Sequence, residues 1–498
     1  MLTSDRGSPG NGAGGATYRR DVRGGSVPAL DAGHTAWILT STAMVLLMTP
    51  GLALFYGGMT RSTGVVNMMM MCFGAIGVVS LLWILYGFSI AFGEQVGGGS
   101  VGGVFGDLTA AGLRGLLDDG QEGGLPVLAF AAFQMMFAVI TTALIAGAIA
   151  DRAKFAAWLV FAVVWSTLVY FPVAHWVWGD SGWLGKLGVL DFAGGTAVHI
   201  NAGAAALALA LVVGKRLGWP RETMRPHNLP LVVLGAALLW FGWFGFNAGS
   251  QLAADGVAAV ALINTQVATA AAVLGWMGVE WLRSGRPTTL GAASGAIAGL
   301  VAITPACAFV EPLGAAAVGL VAGVLCALAV GLKYRFGYDD SLDVVGVHLV
   351  GGAVGSLLIG VLAVEALAGE RGLLYGGGAA LLGKQAIGVV AVAVYSFVVA
   401  WLVGTVIDKI MGFRVAPHAE TEGVDLHEHA EIGYDFSPVL AVATVGGNGA
   451  AVGGDGAALG GNGATAGGAR DAAPADSGPS GGASDGRRTA ADPAAVDG

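Results

Sequence analysis

D-F-A-G-G-T-A-V-H-I-N-A-G, residues 191–203, opens an apolar run that continues to Gly214 and sets Asp191 and His199 where water is scarce. An ionisable group inside a membrane segment is costly, so it marks a functional site by default. Within this run V-H-I-N-A-G-A at 198–204 is echoed by V-H-L-V-G-G-A at 347–353, each copy preceded by an acid, Asp191 in one and Asp343 in the other. The echo suggests a chain built in two related halves.

Composition places that pair in lipid. Of 498 residues, 55% are hydrophobic and only 11% charged, and the mean hydropathy is +0.72, which excludes an ordinary soluble domain. The 85 glycines suit helices that pack backbone to backbone in a bilayer. Part of the net charge of −9 sits in polar tails, so it gives no sign of a nucleic-acid surface. Cys72, Cys307 and Cys326 lie in or beside apolar runs without metal-ligand spacing and read as small core residues.

Stretches long enough to cross a bilayer, about 20 residues each, occur near 36–58, 64–92, 125–149, 155–178, 196–213, 230–252, 257–282, 288–309, 314–333, 343–367 and 384–411. These eleven spans leave the two termini on opposite sides. Loops after odd-numbered spans hold Arg61, Arg152, Lys154, Lys215, Arg216, Arg221, Arg225, Arg283, Arg286, Lys333, Arg335 and Arg414, whereas the opposite loops hold only Arg114, Lys186 and Arg371. By the positive-inside rule the N-terminus is outside and the C-terminus cytoplasmic, against the dissent of Arg6, Arg19, Arg20 and Arg23 in the exported tail. Residues 1–32, which lack the apolar core of a signal peptide, read as a flexible extracellular tail. Residues 33–411 read as the membrane domain, 412–436 as a charged cytoplasmic segment, and 437–498 as a disordered Gly/Ala/Asp-rich tail.

The echoed motifs fall on the fifth and tenth spans. An odd number of spans per half inverts the second copy, the plan of many transport folds with the site at the repeat interface, and His199 and His348 would meet near the midplane. Burial disfavours the imidazolium, so a neutral pair is expected, one ring donating and the next accepting, as a proton relay or a polar rail. Asp191 stands eight residues before His199, about 12 Å along a helix, too far for a hydrogen bond. It reads as a cap on the following helix or as a direct ligand, and Asp343 reads as a helix-start acid.

Aromatic residues supply a second element. F-Q-M-M-F at 133–137 puts Phe133 and Phe137 one turn apart, and W-F-G-W-F-G-F-N-A-G-S at 240–250 puts Trp243, Phe246 and Ser250 at helical spacing. Y-F-P-V-A-H-W-V-W-G at 170–179 offers Trp178 at the outer end of the fourth span, with His175 and Trp176 in the interfacial aromatic belt. These rings are packing groups or, with a hydroxyl beside them, a trap for a small cation.

Together L-L-M-T-P-G-L-A-L-F-Y-G-G-M at 46–59, F-Q-M-M-F-A-V-I-T-T-A-L-I, D-F-A-G-G-T-A-V-H-I-N-A-G, G-W-F-G-F-N-A-G-S and D-V-V-G-V-H resemble the ammonium transporters of the Amt branch of the Amt/Rh family, over roughly residues 33 to 436. The resemblance implies an all-α polytopic membrane protein of eleven transmembrane helices, two inverted five-helix repeats plus a long C-terminal helix, assembled as a homotrimer in the plasma membrane. It implies an outer ammonium site from Phe133, Trp178 and Ser250 with Trp243 close by, a gate of Phe137 and Phe246, twin pore histidines His199 and His348, and support from Asp191 and Tyr170. It also implies a regulatory C-terminal segment carrying Glu422, Gly423, Asp425 and His429, which docks PII-type signal proteins. The cargo is ammonium or ammonia, with methylammonium as an analogue; no cofactor and no catalysis are expected. Two rivals are a haem protein ligated by the two histidines, disfavoured by the glycine-packed helices, and an ammonium sensor with little flux.

Overall fold

The computed structural model describes residues 30–96, 102–117, 124–222 and 224–435; both expected tails lie outside the described residues but for a few positions. The fold is almost wholly helical: α1 (Ala32–Met59), α2 (Val65–Phe92), α3 (Val127–Ile149), α4 (Phe155–Trp178), α5 (Gly195–Val213), α6 (Leu229–Gly249), α7 (Gly256–Ser284), α8 (Thr289–Ile303), α9 (Pro312–Phe336), α10 (Val345–Leu362) and α11 (Ala380–Met411). Among the described residues ten of these are long and apolar enough to cross a membrane, and α8 is shorter.

That short helix corrects the expected span at 288–309. Thr304 keeps helical angles, φ −49° and ψ −49°, but Pro305 has no N–H to donate to the next carbonyl of the ladder, so α8 stops at Ile303. The chain then runs on without regular helix to Phe309, still fully buried. Exposed peptide groups at such depth would be costly, and buried partners meet several of them. The Asn264 amide donates to Cys307 O and Val310 O, both at 2.7 Å, while Phe192 N donates to Pro305 O and Val364 N to Phe309 O.

Small residues set how closely the helices approach. Gly235 of α6 lies on the backbone of Phe55 in α1, and Gly319 and Gly323 of α9 lie on Ala268 and Ala272 of α7, with no room for a side chain at any of them. The crossing of α5 and α10 is the one that places the site. Gly203, four residues after His199, abuts the backbone of Leu349. Gly352, four residues after His348, faces Gly195 O and the Cβ of His199, where an added methyl would stand 2.9 and 3.2 Å away. Each histidine helix thus uses the same position to touch the other.

Beyond α11 the segment forms α12 (Pro417–Glu422) and α13 (Val424–His429). It is sewn to the membrane domain by Val415 N to Arg152 O and Lys154 N to Phe413 O.

Candidate functional site

The histidine turns are built alike. Asp191 Oδ1 accepts from the N–H groups of Gly194 and Gly195, and Oδ2 from those of Thr196 and Ala197, at 2.7 to 3.1 Å. Those are the orphan donors of a helix start, so the carboxylate caps α5 and makes no hydrogen bond with His199. The residue that does the same for α10 is Asp340, whose oxygens accept from Val344 N at 3.1 Å and Val345 N at 2.7 Å. Burial raises both carboxyls above the ordinary range, Asp340 to about 6. After each cap the helix opens into a π-turn, Gly195–Ile200 and Val345–Leu349, a widening frequent at functional sites. His199 and His348 sit in these turns.

Asp343 stands at the start of α10 as expected, its carbonyl accepting from Val347 N at 3.0 Å. Its backbone, however, is left-handed, φ 62°, and its carboxylate pairs with Lys333 Nζ at 2.7 Å and does not cap the helix. The spacing held the signal: Asp340 precedes His348 by eight residues, as Asp191 precedes His199.

The two rings meet. His348 Nδ1 lies 3.2 Å from His199 Nδ1, with ring centres 5.3 Å apart. Such a contact needs one N–H and one bare nitrogen. Among the described residues His199 Nε2 is buried without a hydrogen-bond partner. The pair lines a narrow cavity of about 10 Å³, room for about one water-sized molecule, otherwise walled by Met48, Leu52, Phe55, Ile140, Leu144, Leu239, Trp243, Phe246 and Ile297.

Above it stand the aromatics. Phe137 and Phe246 stack at 4.1 Å and 26°. Phe133 meets Phe137 edge-on at 4.8 Å and Trp178 meets it at 6.0 Å and 89°. Ser250 Oγ donates to Phe246 O at 2.7 Å, and Gly249 beside it lies against the Phe133 ring. The Trp178 indole donates to Asp191 O at 3.0 Å. Trp243, expected with the outer group, lies on the histidine side: it stacks on His199 at 5.4 Å and 21°, its N–H held by Thr304 Oγ1 at 2.8 Å. Thr304 carried no signal in the sequence. Tyr170 is fully buried, its hydroxyl beside Thr141, which donates to Phe137 O.

His175 leaves the expected aromatic belt. It is fully buried, with Nδ1 against Ala91 O and Nε2 against Ser181 Oγ, so it is a satisfied core residue.

At the other end, Asp425 Oδ2 and Oδ1 accept from Val66 N and Asn67 N at 3.0 and 2.7 Å, capping α2. His429 Nε2 lies 2.9 Å from Asn67 Oδ1, and Gly423, with φ 132°, packs on Thr63. Glu422 is exposed and pairs with His427. The buried acids of this segment are Asp425 and Glu420; Glu420 accepts from Leu217 N and holds Arg414, and the half-buried Glu428 accepts from Phe155 N at 2.8 Å, capping α4. Nothing in the spacing of two glutamates before one glycine separated Glu420 from Glu422.

Comparison with known proteins agrees with this architecture. A family model described as Ammonium Transporter Family matches residues 36–434. An ammonium transporter of Mycobacterium tuberculosis is 56% identical over 434 residues, covering 82% of this chain and 91% of that protein, and one of Bacillus subtilis is 47% identical, covering 82% and 100%. Among solved structures, Saccharomyces cerevisiae Mep2 matches with a TM-score of 0.72 at 34% identity, over 84% of this chain and 97% of that one. A structure described as a sensor Amt protein matches at 0.73 and 30%, over 80% and 98%. With a family match across its whole membrane region, this multi-pass membrane protein belongs to the ammonium transporter family.

Proposed function

We propose that the protein carries ammonium nitrogen through the membrane by separating ammonia from its proton. The observation that supports this most is the 3.2 Å nitrogen contact between His199 and His348 in an apolar cavity under the stacked Phe137 and Phe246. An intact cation entering that cavity would lose its hydration for few polar partners, a cost of several kcal/mol. At the outer mouth Phe133, Trp178 and Ser250 offset part of this loss, since a desolvated cation–π contact contributes about 2 kcal/mol. There the ion releases its proton; ammonia passes between Phe137 and Phe246, and the proton crosses the imidazole pair by shifting which nitrogen carries it. Potassium has no proton to release and is refused. Trp243 holds the His199 ring flat and closes the side of the conduit.

The arginine-rich loops orient the chain with its N-terminus outside and C-terminus in the cytoplasm. The functional unit is a homotrimer in the cell membrane, and the C-terminal segment that Gly423 and Asp425 fasten to the membrane domain, with Glu422 exposed on it, receives a PII-type signal protein. Native mass measurement tests the first of these, and co-purification with a PII protein the second. Sensing with little flux is the second reading, favoured by the likeness to the sensor Amt structure. Ammonium uptake into proteoliposomes separates the two: uptake that rises with protein content supports transport, and tight ammonium binding without uptake supports the sensor.

A further inference from the structure

The two halves differ where their fourth helices end. On the His199 side the indole of Trp178, closing α4, donates to Asp191 O at 3.0 Å. On the His348 side the group that donates to Asp340 O, also at 3.0 Å, is the ammonium of Lys333 near the end of α9. Asp191 and Asp340 are equivalent, since each caps its histidine turn from eight residues upstream. Where one mouth holds an aromatic donor, the other therefore holds a tethered cation.

The surroundings of that cation are those a partly desolvated ammonium ion would choose. Lys333 Nζ reaches Asp343 Oδ1 at 2.7 Å and lies 5.6 Å from the centre of the Tyr334 ring, a carboxylate, a carbonyl and an aromatic face together. Lys333, Tyr334 and Asp343 line a cavity of about 310 Å³ that Trp219, Ser341 and Glu222 also border. Arg216, the other cation there, is held by both oxygens of Asp339.

We propose that Lys333 is a built-in ammonium mimic, which fills at the cytoplasmic mouth the cation site that the outer mouth leaves open for cargo. This rests on the reading that ammonium is the cargo. A free ammonium ion arriving from the cytoplasm meets the Asp343 carboxylate and the Asp340 carbonyl already engaged, and a like charge beside them. A passive pathway cannot favour one direction at equilibrium, so the device acts on the half-saturating concentration at the inner face and leaves the final gradient alone.

The test compares wild type, Lys333→Met and Lys333→Arg in proteoliposomes, with ammonium chloride applied to one face at a time. Lys333→Met should lower the half-saturating concentration at the inner face by about twofold to fivefold, the scale of a partly exposed charge pair, and leave the outer value alone. Lys333→Arg, which keeps the charge, should change neither. A merely structural Lys333 would alter both faces together or neither, and either result overturns the proposal. Should Lys333→Met fail to assemble, Asp343→Asn leaves the cation in the cavity without its carboxylate; the inner value should then rise, and a constant or lower value overturns the idea. Wild-type protein that passes no ammonium from either face would instead defeat the transport reading itself.

Discussion

The turn at 191–200 and the turn at 340–349 are two versions of one device, and they differ in how firmly they are held. Asp191 accepts four backbone N–H groups, whereas Asp340 accepts two and borders the Lys333–Asp343 pair. The first turn is sealed into the apolar core beneath Trp178; the second opens beside a polar cavity. A shared cap position brings two histidines to one contact, and the two turns that carry them have unequal surroundings.

The largest effect should come from removing the contact itself. His199→Ala with His348→Ala should lower the ammonium-evoked current by about 100-fold or more, the scale of a lost proton-transfer group, and the two single variants should show whether the halves contribute equally. Unchanged current in the double variant would end the relay.

Next come the caps. Asp191→Ala leaves four buried donors unmet and should destabilise the folded protein by about 3 kcal/mol or more, against roughly half of that for Asp340→Ala, since hydrogen bonds to a charged acceptor contribute about 1.5–3 kcal/mol. Thermal unfolding in detergent measures both, and equal losses would mean that the turns are held alike. Gly352→Ala, which presses on the His199 Cβ, should cost about 1–3 kcal/mol and reduce current more than it reduces stability. Gly351→Ala faces Val301 and Cys326 instead and serves as its control.

Acidification should distinguish the caps more gently. Asp340 ionises near 3.8 in an unstructured chain and at about 6 in the folded protein, so the folded state holds its proton more tightly. Between those values its contribution to stability falls as pH rises and is regained as pH drops. Asp340→Asn should flatten that part of the unfolding profile; an unaltered profile would place the titration elsewhere. The smallest effect belongs to the C-terminal segment, where Asp425→Ala should cost about 1 kcal/mol as a lost helix cap and Glu422→Ala almost nothing. Limited proteolysis after α11 reads the difference.

Much of this was legible in the sequence. Apolar runs and loop charges located the spans, and the echoed V-H motifs named the two histidines that touch. What escaped were contacts decided by chain geometry. Asp343 sits nearer His348 than Asp340 does, yet only Asp340 reaches the open N–H groups, because residue 343 turns left-handed. Pro305 shortened a span that composition alone would extend. Trp243 fell on the histidine side because Thr304, sixty-one positions away, holds its indole. Glu420 and Glu422 differ in burial for reasons of docking that their spacing does not encode.

Charge movement on a solid-supported membrane tests the central claim most directly, with ammonium and potassium pulses applied to the same protein. Parting of nitrogen and proton through the paired imidazoles predicts a current with ammonium, none with potassium, and none with ammonium once both histidines are alanine. Equal currents from the two ions, or an ammonium current that survives loss of both rings, would contradict it.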